Sequence, residues 1–227
     1  MLFTIKKKII IAVIPALNEE KTIENVLINT KKYVDKIILV DDGSTDNTAK
    51  ISEQYANVIR HSKNQGYGKS INDGFELAKK KGADIILTLD GDGQHLAEDI
   101  LLFTDMLEKD LADIVVGKRP YQARLMEYIF ANYGKKRGIS DPLCGMKAYK
   151  TKVYDDVGFF ENFTSIGTQL TFTAFKKGYR IKEIPIQLRK REDTPRFGRK
   201  IKANLKLLVA YLKLINHLNK INKKKLK

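Results

Sequence analysis

Two carboxylates one residue apart, Asp90 and Asp92, close the apolar run 85–89 of this 227-residue chain, with Gly91 between them and Gln94 two places on. A buried strand that ends this way carries both acids to the carboxyl edge of a sheet, where open α/β folds bind ligands. Such a pair suits a hard divalent cation, Mg²⁺ or Mn²⁺, that shares its coordination with phosphate oxygens instead of filling a protein cage. The same triplet also reads as a solvated turn after a strand, so its neighbours decide.

Four other segments stand at the ends of predicted strands or in the loops after them: 15–20 (PALNEE), 41–46 (DDGSTD), 64–69 (NQGYGK) and 117–120 (GKRP). Asp42 sits where a strand hands over to a Gly-Ser turn, placed either to accept hydrogen bonds from a base or ribose or to form the turn. Glu19 falls just inside a predicted helix start, where the helix dipole favours an acid whether or not it binds anything. Gly66 and Gly68 make a glycine-rich turn ahead of a helix, a cradle for an anion, though without the spacing of a Walker or dinucleotide motif. Lys69 either reaches a phosphate from there or is an ordinary exposed helix lysine. His95 reads as an extra metal ligand or as a surface residue after the loop. Cys144 has no activating histidine nearby and reads as a small packed residue.

The elements that must position these groups alternate. Strands are predicted over 9–14, 36–40, 58–61, 85–89 and 114–117, and helices over 19–33, 46–55 with Asp46 as its N-cap, 69–81 and 100–109. This βαβα order specifies a mostly parallel sheet covered by helices on both faces. The unbroken apolar runs 37–40 and 85–87 fit strands buried on both sides. Further on come a helix over 124–137, a strand over 145–149, a helix over 168–177 and a strand over 180–188. Pro185 marks that last strand as an edge. A charged loop over 190–200 leads into a terminal helix to about residue 222.

Taken together, the five motifs resemble the family 2 glycosyltransferases, most closely the polyprenyl-phosphate (dolichol-phosphate) sugar transferases, over about residues 9–200. The resemblance implies a GT-A fold and inverting transfer from a UDP- or GDP-linked sugar. It places Pro15, Leu17, Glu19, Val40 and Asp42 around the nucleoside, and Asp90, Asp92 and Gln94 at the metal, with Asp92 the more direct ligand. Gly91 and Lys69 belong to the same nucleotide-sugar site. Arg119 matches an arginine near donor or acceptor phosphate, and Asp141 an acid on the acceptor side that orients the acceptor or acts as base. Arg191 matches a phosphate-binding arginine; Lys200 or Arg199 only approximates the lysine that should follow, because 192–196 lengthens the stretch. Gln169 stands where relatives often carry Glu and cannot serve as a base.

The charge is segregated. Of the net +15, residues 189–227 hold fourteen Lys and Arg against Glu192 and Asp193, a balance of +12. A basic tail on a near-neutral domain points to an anionic partner. One cysteine excludes an internal disulfide, which fits a reducing compartment, and no apolar run reaches the ~20 residues of a bilayer span. The terminal helix carries apolar residues at 201, 205, 208, 212, 215 and 218, widened by 207, 211 and 214, with lysines on the remainder. Such a helix lies on a membrane interface or packs on protein.

The sequence therefore predicts a catalytic domain over 1–200 and a basic amphipathic extension over 201–227. The expected reaction is metal-dependent sugar transfer to a polyprenyl phosphate at the cytoplasmic face of an anionic membrane. Transfer to a growing surface glycan or lipid-linked saccharide is the alternative. A nucleic-acid-binding module is the rival from another class, and no nucleic-acid partner is expected, since neither stacking platforms nor a helix-turn-helix signature appears.

Overall fold

The computed structural model describes residues 7–122, 124–161, 166–189 and 200–225. Seven strands form one sheet in the order β3-β2-β1-β4-β6-β5-β7. The first four are β1 (Ile10–Ala16), β2 (Lys36–Asp41), β3 (Asn57–Arg60) and β4 (Ile85–Thr88). They pair in parallel, with β1 central between β2 and β4. Next come β5 (Ile114–Lys118), β6 (Lys147–Lys150) and β7 (Ile181–Pro185). β6 runs antiparallel to both β4 and β5, while β7 pairs in parallel with β5 at the sheet edge. Pro185 thus sits on an edge strand, as its missing N–H requires.

Helices cover both faces. Ile11, Val13, Ile38 and Val40 point to the side covered by α3 (Tyr67–Lys80), α5 (Leu125–Lys135), α7 (Thr168–Lys176) and α8 (Lys200–Lys225). Ile10, Ala12, Ile14, Ile37 and Leu39 face the other side, where α1 (Ile23–Thr30) and α4 (Asp99–Glu108) pack. The period-2 alternation of strand side chains makes two apolar layers from one run, hence its lack of polar positions.

Two local expectations are corrected and one helix is added. The helix predicted over 19–33 begins only at Ile23. Asn18 takes a positive φ and the Glu19 carbonyl accepts the Thr22 and Ile23 N–H groups, so a turn precedes the helix and Glu19 lies outside its first turn. The helix predicted from Asp46 is a short α2 (Thr48–Ser52) capped at Asn47. Asp46 still serves its start from one residue further out, accepting the Thr48 N–H at 3.0 Å. An additional helix, α6 (Thr151–Val157), follows β6 directly and ends at Gly158; its seven residues are too few to show a period in the sequence.

The terminal helix is part of the core. Ala203, Leu207, Ala210, Leu214 and Leu218 are buried, Tyr211 stacks edge-on to Phe130 and Tyr133 of α5, and Lys176 of α7 donates to the Leu218 carbonyl. Positions 203, 207, 210, 214 and 218 recur at three and four, one face of a helix.

Candidate active site

The sheet reverses its direction of growth between β1 and β4, so the loops leaving these two strands lie side by side at the carboxyl edge. Open α/β sheets bind ligands at such a switch point. Thr22 donates its hydroxyl to the Gly91 carbonyl at 2.8 Å, and a Cβ on Gly91 would meet Ala16 and the Glu19 side chain. The loop after β1, with Leu17 and Glu19, thus rests against the Asp90–Asp92 turn, and Pro15 is paired beside Val40 at the end of β1. Glu19 is 5% exposed, and its N–H donates to Thr48 Oγ1.

Asp90 is held from two sides. Nε2 of His95 lies 3.3 Å from Asp90 Oδ2, and the Gly145 backbone approaches so closely that a Cβ there would fall 2.2 Å from the same oxygen. Only glycine fits at 145. Burial opposes ionisation of Asp90, but the His95 hydrogen bond and the charges of Arg119 and Lys147 hold its carboxyl below the usual range. The His95 side chain is only 4% exposed, so it is not the surface residue one reading of the sequence allowed; it braces Asp90 from behind. Asp92 accepts the Gln94 N–H at 3.1 Å, and the Gln94 carbonyl in turn accepts the Arg189 N–H at 2.8 Å. A cavity of about 120 Å³ opens beside Asp92, lined by Thr22, Asn25, His95 and Arg189 among others.

Among the described residues no group of three or more His, Cys, Asp or Glu side chains converges on one point. The donor set is two carboxylates with an amide two residues on. These oxygen ligands, too few for a cage, fit Mg²⁺ or Mn²⁺ completing its shell on a diphosphate.

Asp42 ends buried behind Val40, and its carboxylate is fully engaged. It accepts the Gln65 N–H at 2.8 Å and the Gly66 N–H at 2.9 Å and faces His61 Nδ1 at 2.8 Å. It therefore suspends the glycine-rich turn that leads into α3. Lys69 lies in the first turn of α3 and pairs with Asp73 one turn on.

At the end of β5, Arg119 lies against Asp141. Its Nε donates to Asp141 Oδ2 at 2.7 Å, Nη2 to Oδ1 at 2.9 Å and the backbone N–H to Oδ2 at 3.0 Å. Glu127 accepts a weaker bond from Nη2 at 3.5 Å and a 2.6 Å bond from Arg124. Burial alone would lower the Arg119 pKa; the Asp141 and Glu127 carboxylates overcome it and push it upward. Asp141, expected near the acceptor as orienting group or base, is 3% exposed and turns its oxygens to the guanidinium. Glu183 accepts the Ser140 and Asp141 N–H groups and so fixes that loop.

Lys147, which closes the segment that begins at Asp141 and to which the sequence assigns no role of its own, is 1% exposed and donates to the Ile166 carbonyl. Burial brings its pKa down to about 8, and a lysine inside a strand with apolar neighbours is the signal that would have found it. Cys144 is buried and burial pushes its thiol up to about 12, so it is packing and not a nucleophile. The Gln169 amide oxygen accepts the Glu161 N–H at 3.0 Å. Arg191 and Arg199 lie outside the described residues, and Lys200 opens α8.

The model of Glycosyl transferase family 2 matches residues 11–158. A UDP-N-acetylglucosamine–dolichyl-phosphate N-acetylglucosaminyltransferase of Methanococcus voltae is 40% identical over 131 residues, 49% of this chain and 52% of that protein. The chain thus spans about half the length of that relative. A polyprenol monophosphomannose synthase of Mycolicibacterium smegmatis is 24% identical, over 69% of this chain and 67% of that one. Among solved structures, glucosyl-3-phosphoglycerate synthase from Mycobacterium tuberculosis, in complex with Mn²⁺, UDP and glucosyl-3-phosphoglycerate, superposes with a TM-score of 0.75 at 19% identity. The match covers 91% of this chain and 80% of that one. That likeness establishes the GT-A fold.

Proposed function

The chain belongs to glycosyl transferase family 2, and from that premise we propose that it moves a sugar from a nucleoside-diphosphate donor to a polyprenyl phosphate, with inversion at the anomeric carbon. The observation that carries the reading is that β1, β2, β4 and β5 end on one sheet edge, with Glu19, Asp42, Asp90, Asp92 and Arg119 at or just beyond those ends. The named relatives act on dolichyl phosphate or make polyprenol monophosphomannose, and the solved relative holds Mn²⁺ and UDP.

In this reading Pro15, Leu17, Glu19, Val40 and Asp42 line the nucleoside side, and Asp90, Asp92 and Gln94 hold Mg²⁺ or Mn²⁺. A bound cation would neutralise the diphosphate and make it a better leaving group. Arg119, splayed flat against Asp141, presents its outer edge to an anionic oxygen, and a guanidinium binds such oxygens with directed hydrogen bonds. Asp141 acts through Arg119, as its holder. A phosphate acceptor is already ionised near neutral pH and needs no strong base. Arg191, together with Lys200, would grip the acceptor phosphate.

The acceptor side faces a membrane in this proposal. Leu205, Leu208, Val209 and Leu212 are 40–61% exposed on the side of α8 turned away from the core, with exposed Lys206, Lys213 and Lys220 alongside. On α5, which packs on α8 and whose Glu127 contacts Arg119, Leu125, Tyr128 and Ile129 are also exposed. Between the two helices runs a groove of about 500 Å³ lined by Tyr128, Ile129, Tyr133 and Tyr211 with Lys136 and Arg137. No described helix is long and apolar enough to cross a membrane; an interfacial posture uses apolar burial plus lysine attraction to anionic lipid.

Incubation with UDP- and GDP-sugars, Mn²⁺ and either a polyprenyl phosphate or a lipid-linked saccharide tests the assignment. Product on the lipid phosphate supports it; product on the saccharide alone replaces it with glycan extension.

A further inference from the structure

Behind the nucleotide side of the cleft lies a charged chain that no step above uses. His61 follows β3, donates its N–H to the Asp41 carbonyl at 2.9 Å, and has a side chain only 5% exposed. Its Nδ1 lies 2.8 Å from Asp42 Oδ1 and its Nε2 lies 3.0 Å from Asp73 Oδ2. Asp73 is also paired with Lys69; burial opposes its ionisation, but the Lys69 and His61 hydrogen bonds hold its carboxyl below the usual range. Asp42 accepts two backbone N–H groups besides, so it meets the ring as an acceptor. Each ring nitrogen thus faces a carboxylate oxygen at hydrogen-bond distance, and the imidazole bridges the end of β2 and α3.

We propose that His61 is a positioning residue that holds Asp42 through Nδ1 while Asp73 orients the ring from the Nε2 side, and that it thereby keeps the Gln65–Gly66 turn in the posture that receives the donor nucleotide. The turn depends on this clamp because it makes no cap of its own. Gly66 adopts φ +92° at the start of α3 with no side-chain capping bond, and its N–H is spent on Asp42. His61 ties that anchor to the helix: one side reaches the end of β2, the other the second turn of α3. Lys69, which the sequence offered as a phosphate ligand, serves here as the counter-charge at the far end of the chain. The inference rests on the reading of this edge as the nucleotide site.

Three substitutions separate the two halves of the clamp. An Asn side chain at 61 offers its amide near the position of Nδ1 and can serve Asp42; a Gln offers it near Nε2 and can serve Asp73. His61→Ala should weaken UDP binding in the presence of Mn²⁺ by about tenfold or more, the scale of a lost charged hydrogen bond, raising KM for the UDP-sugar while kcat changes little. His61→Asn should recover most of the affinity and His61→Gln should not. Hydrogen exchange at the Gln65 and Gly66 amides, read without nucleotide, should quicken in the Ala and Gln variants and stay slow in the Asn variant. If all three folded variants keep wild-type exchange and affinity, or if Asn and Gln behave alike, the clamp is refuted. If the wild-type protein binds neither UDP nor GDP with Mn²⁺, the nucleotide-site reading falls, while the exchange measurement still decides whether His61 holds the turn.

Discussion

Arg119 and Asp141 form a pair whose chemistry depends on both members. Arg119→Lys loses the flat two-point contact with Asp141, and a point charge on a flexible stem cannot replace it. Transfer should fall by about ten- to a hundredfold, the worth of one or two charged hydrogen bonds. Asp141→Asn should cost as much, and the double variant little more than either alone, because both remove one arrangement. A double variant whose loss is the product of the two single losses would give Asp141 a role of its own, as the base or acceptor-orienting group that the sequence suggested. Asp92→Asn is the metal test: the fold and Tm should hold, since the side chain is half-buried in a turn, while Mn²⁺-dependent turnover should fall by about two orders of magnitude or more. Turnover near the wild-type level would move the cation elsewhere.

At the scale of elements, the alternation of apolar runs and helical periods made nearly every strand and helix legible, because burial on both faces writes itself into composition. The positions of Asp42, Asp90 and Arg119 at strand ends followed directly. What stayed hidden was governed by partners distant in sequence. Nothing near Asp42 announces that its oxygens are taken by Gln65, Gly66 and His61, nor near His95 that it packs behind Asp90. The reversal of β6 was also invisible, since a four-residue strand carries no mark of direction. On the amino edge of β5 and β7, Asp113 collects hydrogen bonds from Lys150 at 3.0 Å and Arg180 Nε at 3.1 Å, with Lys152 at 3.3 Å. Burial opposes its ionisation, but those three cations keep its carboxyl far below the ordinary range. A depressed folded pKa adds stability above the unfolded value near 3.9, and that stability is lost as pH falls through and below it. Asp113→Asn should therefore cost about 1–3 kcal/mol at pH 7, discounted for the half-exposed Arg180. The gap from wild type in denaturant midpoint should narrow below about pH 4; a gap constant with pH would make the loss one of packing.

For the whole molecule, α8 has an inner and an outer apolar face, and they predict different phenotypes. Leu214→Ala removes a fully buried side chain from the core and should cost about 2–5 kcal/mol. Replacing exposed Leu205, Leu208 and Leu212 by Ser should leave Tm unchanged yet reduce binding to phosphatidylglycerol vesicles by about tenfold or more. Unchanged vesicle binding would end the membrane assignment. The outer stripe has a consequence for the purified protein as well. Copies in solution present the same apolar strip to one another, and at low ionic strength the +15 net charge keeps them apart. Added salt shortens the screening length to about 8–10 Å near 0.1–0.15 M, weakening that repulsion without weakening the apolar attraction. Colloidal behaviour should therefore run opposite to lipid attachment: salt loosens the protein from anionic vesicles and, in their absence, drives it to cluster, so that light scattering rises with salt in the native chain and stays flat in the triple serine variant.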